Sequence, residues 1–421
     1  MVKKGSRFGD VGPLMVIFAV VCIDLIGFGI VLPLLPLYAK AYGASPFVIG
    51  LLAISYSATQ LLFNPIWGAL SDRVGRRPIL LMSLTGSVLF YALFGWAPSL
   101  FWLFVARLGA GLFAANISAA MAYIADVTSV ENRAKGMGLV GAAFAIGFII
   151  GPALGGFLSQ YGYAMAGYGA AALSATALAV AVFKLPESLK AKTQRRPVSI
   201  SLETFWRPIR ENLPKEEVGR PMVVYFLVVL AFACMQITFP LFTFEVFGFD
   251  VKENGYLFTF MGIIAVVFQG RLIGSLARRF GEGPLAIFGV ALGILGLALL
   301  PLAASLQMLL FVLTILAVGS GLNSPTLTSL ISIGTHEHEQ GAVLGASRSI
   351  NTLARILGPL WGGWSYGTLG KQWTYWSAAG VLLVAVLYGW PLLRWRPAAS
   401  VRSEPVAHPS QLIHRDRPDV G

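Results

Sequence analysis

The sequence predicts an all-α membrane protein in which twelve spanning helices form two related bundles of six. Three observations predict it. The first is composition: 56% of the 421 residues are hydrophobic, only 12% are charged, and mean hydropathy is +0.74. A soluble domain carries roughly 25% charge. The second is that the apolar residues group into runs of about 20, the length that crosses a bilayer as a helix. The third is a repeat, in which landmarks of the first six runs return in the last six.

The runs are read at 14–38, 46–70, 79–97, 99–124, 135–159, 163–184, 221–247, 254–276, 284–303, 305–332, 341–367 and 373–393. Many are rich in Gly, Ala and Ser, small residues that let membrane helices pack closely. The net charge of +12 does not point to nucleic acid, because the basic residues fall in short loops where they define topology and meet anionic lipid headgroups. With both termini inside, 24 of the 31 Lys and Arg residues lie on the inner side. Only Lys40, Lys252 and Lys371 lie outside, and Arg107, Arg271, Arg348 and Arg355 fall within spans. That bias predicts cytoplasmic termini. Met1 to Arg7 opens a run too long for a cleaved signal, so the first helix is expected to be retained.

The expected division is a six-helix bundle over 1–184, a linker over 185–220, a second bundle over 221–396 and a disordered tail over 397–421. In the linker, Leu202, Phe205, Trp206, Ile209 and Leu213 recur at helical spacing. That fits either a helix on the membrane surface or a plain solvated connection.

The repeat holds a register of 207 residues. Pro33 returns as Pro240, Phe104-Val105 as Phe311-Val312, Asn116 as Asn323, and Gly151-Pro152-x-x-Gly155-Gly156 as Gly358-Pro359-x-x-Gly362-Gly363. A turn also returns, 206 positions on: Leu70, Arg73, Gly75 and Pro78 recur as Leu276, Arg279, Gly281 and Pro284. Parallel halves of this kind relate by an axis along the membrane normal and hold substrate between them near mid-membrane.

Gly68-x-Leu70-x-Asp72-Arg73-x-Gly75-Arg76-Arg77 sits between the second and third spans. There it resembles the helix 2–3 loop motif of the major facilitator superfamily. Gly147-x-x-x-Gly151-Pro152-x-x-Gly155-Gly156 resembles that family's helix 5 motif, associated with antiporting exporters. Arg107, followed by Gly109 and Gly111, resembles its basic helix 4 motif. The stretches C-I-D-L-I-G-F-G-I-V-L-P-L-L-P and A-Y-I-A-D-V-T-S-V-E-N-R-A are similar to drug–proton antiporters of the tetracycline-efflux-like branch. The resemblance covers essentially all the spans and implies alternating access driven by proton entry. It departs at the third span, where Phe90-Tyr91 stands in place of an expected acid, and at the ninth, which has none. Those departures argue against a tetracycline–metal chelate as substrate.

The residues themselves suggest roles. Asp24 lies roughly 15 Å into the first span at about 1.5 Å per residue, and it is the only acid well inside a span. Such an acid is expensive and is read by default as functional. It is expected to carry a proton; the alternative is a structural carboxyl at the Gly27–Gly29 bend. Arg107 reaches a similar depth from the other face, so the two are expected to meet in one cavity as an ion pair. Arg107 alternatively snorkels or makes a structural pair. In the turn, Asp72 is expected to face a helix N-terminus, and Arg73 or Arg77 to pair with Asp126. With Gly68, Gly75 and Arg76 these form a clasp expected to close the inner side, or else a merely topogenic loop. Gly147, Gly151 and Gly155 share a helix face with Pro152 between them, suited to close packing and bending.

Arg348 and Arg355 share a face and either meet an anionic ligand or pair with carbonyls. Gln60, Asn116, Gln236 and Asn323 are candidate cavity residues, and Glu245 is read as interfacial. Cys22 and Cys234 are read as small buried hydrophobes. Gly136-x-Gly138-x-x-Gly141 follows no strand and is no dinucleotide motif. Asn116-x-Ser118 is a glycosylation pattern inside the membrane. His336 and His338 do not share a helix face, so no metal site is expected.

These readings predict a monomeric secondary transporter, not an enzyme, with no cofactor beyond a proton gradient. Its partners would be a small-molecule substrate and the lipid bilayer, with no nucleic acid. The expected function is multidrug efflux of amphipathic molecules across a bacterial inner membrane, contributing to antibiotic resistance. A proton-driven importer of a sugar or organic acid, and a non-transporting receptor, are the alternatives.

Overall fold

The structure, a computed structural model, describes residues 11–188, 210–335 and 339–394, with the side chains of all but 11, 130–135, 341 and 342 among them. The proposed surface positions Leu202, Phe205, Trp206 and Ile209, the His336–His338 pair and the tail lie outside the described residues; Leu213 is exposed.

The described residues form helices, with no strand among them. The first half comprises α1 Val11–Ala41, α2 Pro46–Val74, α3 Arg76–Trp96, α4 Leu100–Leu112, α5 Asn116–Val127, α6 Val130–Ser159 and α7 Tyr163–Lys184. The second comprises α8 Glu216–Phe247, α9 Val251–Val267, α10 Ile273–Phe280, α11 Glu282–Leu299, α12 Leu306–Ile333, α13 Gln340–Thr368 and α14 Lys371–Gly389. A π-helical turn, Phe268–Leu272, joins α9 to α10. Taking α4 with α5 and α9 with α10 as single paths, eleven of the helices are long and apolar enough to cross a membrane. The twelfth path, α13, has 29 residues and is the least apolar of the long helices, because Ser347, Arg348, Asn351 and Arg355 run along it.

Helix boundaries follow local chemistry. Ser45 accepts a hydrogen bond from the Val48 amide, with Pro46 at the first position of α2. Asp250 and Glu253 form a capping box at the start of α9. Gly75 and Gly281 take φ of 119° and 85° at the two repeated turns, a region that favours glycine. Two boundaries differ from expectation. Span four is broken, because Phe113–Ala115 leave the helix between α4 and α5. α8 begins at Glu216, inside the segment read as linker, because Glu216 and Glu217 suit the positive end of a helix.

The same pairings recur in both halves. α1 packs on α6 and α7, as α8 packs on α13 and α14; α3 packs on α7, as α11 does on α14. Two symmetric seams join the halves, α6 against α9 and α2 against α13.

The seams are closed at one end. A Cβ on Gly50 would lie 2.5 Å from the Pro359 carbonyl oxygen, and one on Gly156 would lie 2.8 Å from that of Lys252. At this end the buried core is continuous across both halves, from Leu34 and Phe94 to Phe239 and Tyr375. Toward the face carrying the Gly75 and Gly281 turns, called the basic face here, the core divides. One cluster belongs to the first half, around Ile17, Leu80 and Tyr123, and a smaller one to the second, around Met222 and Ile331. Gly68, Gly138, Gly141, Gly270, Gly274 and Gly345 have open space where a Cβ would stand. The halves therefore meet at the far face and diverge toward the basic face.

Glu245 belongs to the closed end and is more than interfacial. It accepts a 2.9 Å hydrogen bond from Tyr366 and lies 3.9 Å from Lys40 of the first half. Tyr163 likewise donates across the seam to Asp250 at 3.3 Å.

Candidate functional site

Asp24 is 4% exposed, on α1 in the middle of the first half. Its carboxylate accepts hydrogen bonds from the Asn116 amide and, at 3.2 Å, from the Ser174 hydroxyl. Ser87 of α3 is a third side-chain partner. The break in span four creates this arrangement. Asn116 is the first residue of α5, so the carboxylate faces the positive end of a half-helix. Ser83 repairs the break by donating to the Phe113 carbonyl at 2.5 Å and accepting from the Ala115 amide at 3.2 Å. Buried backbone groups freed inside a membrane need such partners.

Arg107 does not pair with Asp24. It is 5% exposed, its guanidinium lies 4.7 Å from the centre of the Tyr56 ring, and its Nε has no hydrogen-bond partner. In place of the expected ion pair, the Arg107 guanidinium rests on the Tyr56 ring. Asp24 instead turns toward Asn116 and Ser174, which satisfy it without a cation.

Tyr56 of α2 has Arg107 of the first half against its ring and Arg355 of the second half within electrostatic reach. Arg355 is exposed on α13 and acts electrostatically on Tyr56 of α2. Arg348, two turns nearer the start of α13 on the same face, contacts the Met121 sulfur of α5. Gln60 lies 3.5 Å from the Tyr56 hydroxyl. Phe28 packs on Tyr56 and Phe148 with ring centres 5.4 and 6.3 Å apart. Gln236 is half-buried on α8. Asn323 is not a cavity residue: it is 3% exposed and its Oδ1 is packed where a Gly289 side chain would stand, without a hydrogen bond.

The clasp at the α2–α3 turn uses a different arginine from the one expected. Arg76, not Arg73 or Arg77, reaches Asp126, with Nε 3.0 Å from the carboxylate, and it also pairs with Asp72 at 2.5 Å. Arg73 is exposed and in no ion pair among the described residues. Arg77 donates to the Val182 carbonyl at 2.7 Å. The N-terminus of α3 is faced not by Asp72 but by Glu187, which accepts from the Arg76 and Arg77 amides at 2.9 and 3.2 Å. Steric reach explains the swap: Arg76 opens α3, on the side facing α5, whereas Arg73 ends α2 on the exposed side. Among the described residues the partners lie in the first half or, for Glu187, just past its last helix, and the clasp is made while the halves diverge at the basic face. In this conformation it braces one half rather than closing the face.

The glycine motif works in two directions. Cβ atoms on Gly147, Gly151 and Gly155 would strike α1 at Leu25, Gly29 and Ile30, whereas Gly156 and the Pro152 carbonyl meet Gly255 of α9 across the seam. In the second copy, Gly358 and Gly362 meet Leu230 and Cys234 of α8, whereas Gly363 and the Pro359 carbonyl meet Gly50 of α2.

Several of these residues carry weak sequence signals. Ser174 sits in an Ala-rich run and Tyr56 in an ordinary span, and nothing in their spacing marks them. Glu187 carries a usable signal, an acid immediately beyond a span end on the side that holds the basic residues.

Two six-helix halves that meet at one face and diverge toward the other are the architecture of a membrane transporter. The chain belongs to the Major Facilitator Superfamily, whose family model matches residues 17–359. It is 31% identical to the tetracycline resistance protein, class E, of Escherichia coli, over 95% of this chain and 96% of that protein. It is 28% identical to multidrug resistance protein 2 of Bacillus subtilis (strain 168), over 83% of this chain and 87% of that protein. Among solved structures it is similar to the human organic anion transporter MFSD10 (TETRAN), with a TM-score of 0.69 and 26% identity, covering 90% of this chain and 98% of that one.

Proposed function

We propose that this transporter exports amphipathic small molecules in exchange for protons, with Asp24 as the proton carrier. The observation that carries the reading is the setting of Asp24: a buried carboxyl held by neutral donors at a half-helix N-terminus, with no cation bound to it. Such a group has a charged form stabilised by hydrogen bonds and a neutral form favoured by its surroundings, so small changes in access shift it between the two. Neutralisation weakens its hold on Asn116 and Ser174, which belong to α5 and α7. Proton binding is thereby tied to packing within the first half.

The two halves rock about the central cavity. The basic-face opening admits substrate from the cytoplasm, both termini lie on that side, and the membrane is the inner membrane of a bacterium. The Lys and Arg bias and the resistance proteins among the relatives support this orientation.

The test uses everted inner-membrane vesicles and an imposed pH gradient, acid inside, with tetracycline, rhodamine 6G and carboxyfluorescein as probes. Accumulation of a probe that collapses with the gradient, and is absent in Asp24→Asn, supports the reading. Gradient-coupled movement in the opposite direction supports import. Full gradient-coupled flux in Asp24→Asn removes Asp24 from the mechanism.

A further inference from the structure

One neighbour is named an organic anion transporter, and other relatives are named for tetracycline or multidrug resistance. The names do not agree on a substrate charge, and the charges inside the spans bear on it directly. This inference rests on the transport reading above. Arg107, Arg271, Arg348 and Arg355 fall within spans, against Asp24 as the one acid well inside a span. Asp24 is engaged by Asn116 and Ser174. Among the described residues, Arg107, Arg348 and Arg355 therefore have no internal counter-ion.

Their individual settings agree. Arg107 is 5% exposed, with an aromatic ring beneath it, an unpartnered Nε and no ion pair among the described residues. Arg355 of the other half is exposed, acts on the same Tyr56 ring that Arg107 stacks on, and joins no ion pair among the described residues. Arg348 lies against the sulfur of Met121 rather than an acid. A guanidinium is always charged, and its planar fork matches a carboxylate or sulfonate. Uncompensated cations at membrane depth are costly unless something negative arrives. Beside them, Phe28, Tyr56 and Phe148 offer aromatic surface.

We propose that the cavity binds an amphipathic organic anion, its acid group held between Arg107 and Arg355, its apolar body on Phe28 and Phe148, and Arg348 guiding entry. The cation site draws on both halves, whereas Asp24 is sequestered within the first. Coupling therefore runs through the rocking of the halves and not through contact between ligand and proton carrier. A further consequence is electrical. Exchange of one monoanion outward for one proton inward moves two positive charges inward, so an inside-negative potential drives it. A monocation exchanged for one proton moves none.

The test measures binding of carboxyfluorescein and of rhodamine 6G, an anionic and a cationic xanthene dye, to the purified full-length protein by fluorescence anisotropy. Carboxyfluorescein flux is then followed in proteoliposomes under an imposed potential or an imposed pH gradient. The expected result is tighter binding of the anion, weakened about tenfold or more by Arg355→Gln, as for loss of a charge-assisted hydrogen bond. Arg355→Lys restores most of it, and flux follows the potential. Arg355 is exposed, so its variants should fold; Arg107→Gln is the second variant, compared at equal thermal stability. Tighter binding of rhodamine 6G, or anion binding indifferent to both arginine substitutions, overturns the proposal. Flux that follows potential but never the pH gradient keeps the anion site and removes proton coupling. Gradient-driven rhodamine 6G flux without anion binding does the reverse.

Discussion

The two halves of the molecule repeat their packing and divide their chemistry. Gly151-Pro152-x-x-Gly155-Gly156 and Gly358-Pro359-x-x-Gly362-Gly363 do the same two jobs, seating α6 on α1 and α13 on α8 while offering a carbonyl and a glycine to the opposite half. The polar residues do not repeat. Position 24 is an aspartate, and its counterpart 207 residues on is Ala231. Asn116 holds that aspartate, whereas Asn323 is packed against α11 with an idle oxygen. Arg348 and Arg355 of the second half correspond to Gly141 and Phe148 of the first. The Gly75 turn is clasped by Asp72, Asp126 and Glu187, whereas at the Gly281 turn Glu282 accepts a 2.7 Å hydrogen bond from Ser329. The lesson is that close backbone packing, which the rocking needs on both sides, is held in duplicate. The proposed proton site, by contrast, is built by the first half alone, and the proposed anion site by unlike residues of the two halves.

This contrast can be broken at several points. The largest effect is expected at the proton site: Asp24→Asn should reduce gradient-driven flux to background, whereas Ala231→Ser should leave it near the native rate. Vesicle flux assays check both. Next come the shared glycines. Gly151→Leu and Gly358→Leu should each destabilise by about 1–3 kcal/mol through overpacking, because each Cβ would lie 2.6 Å from backbone, at Gly29 and Leu230 respectively. Thermal unfolding in detergent reads this, and strongly unequal losses would break the claim of duplicate packing. The asparagines should then separate. Asn116→Ala removes a donor from a buried carboxylate and should cost about 1–3 kcal/mol. Asn323→Ala, which breaks no hydrogen bond seen here, should cost less than that in the same assay. The smallest expected difference is at the turns. Arg76→Ala should cost about 1 kcal/mol, because the group is partly buried among several acceptors, and exposed Arg278→Ala close to nothing. Equal effects there would restore symmetry to the two turns.

Much of this was legible in the sequence. Span positions follow from apolar length, and the duplication follows from Pro33, Asn116 and the paired glycine motifs in one register. Asp24 stands out because an acid in that position is costly. Three-dimensional partner choice was not legible. Arg73, Arg76 and Arg77 are equivalent by composition, and only the fold, which puts Arg76 at the start of α3 and Arg73 at the exposed end of α2, selects Arg76 for Asp126. The depths of Asp24 and Arg107 agree, but depth does not fix azimuth: Arg107 turns to the Tyr56 ring and Asp24 to Asn116 and Ser174. The break at Phe113–Ala115 has no proline to announce it. It is sustained by Ser83, a residue thirty positions earlier in the chain.

The central claim is that transport is driven by a proton carried at Asp24, in the first half alone. The most direct test is to follow internal pH with a trapped indicator while substrate moves across proteoliposomes holding the purified protein. The account predicts that protons move opposite to substrate in the native protein. In Asp24→Asn no protons should move, although substrate still binds. Proton movement of native size in that variant would contradict it.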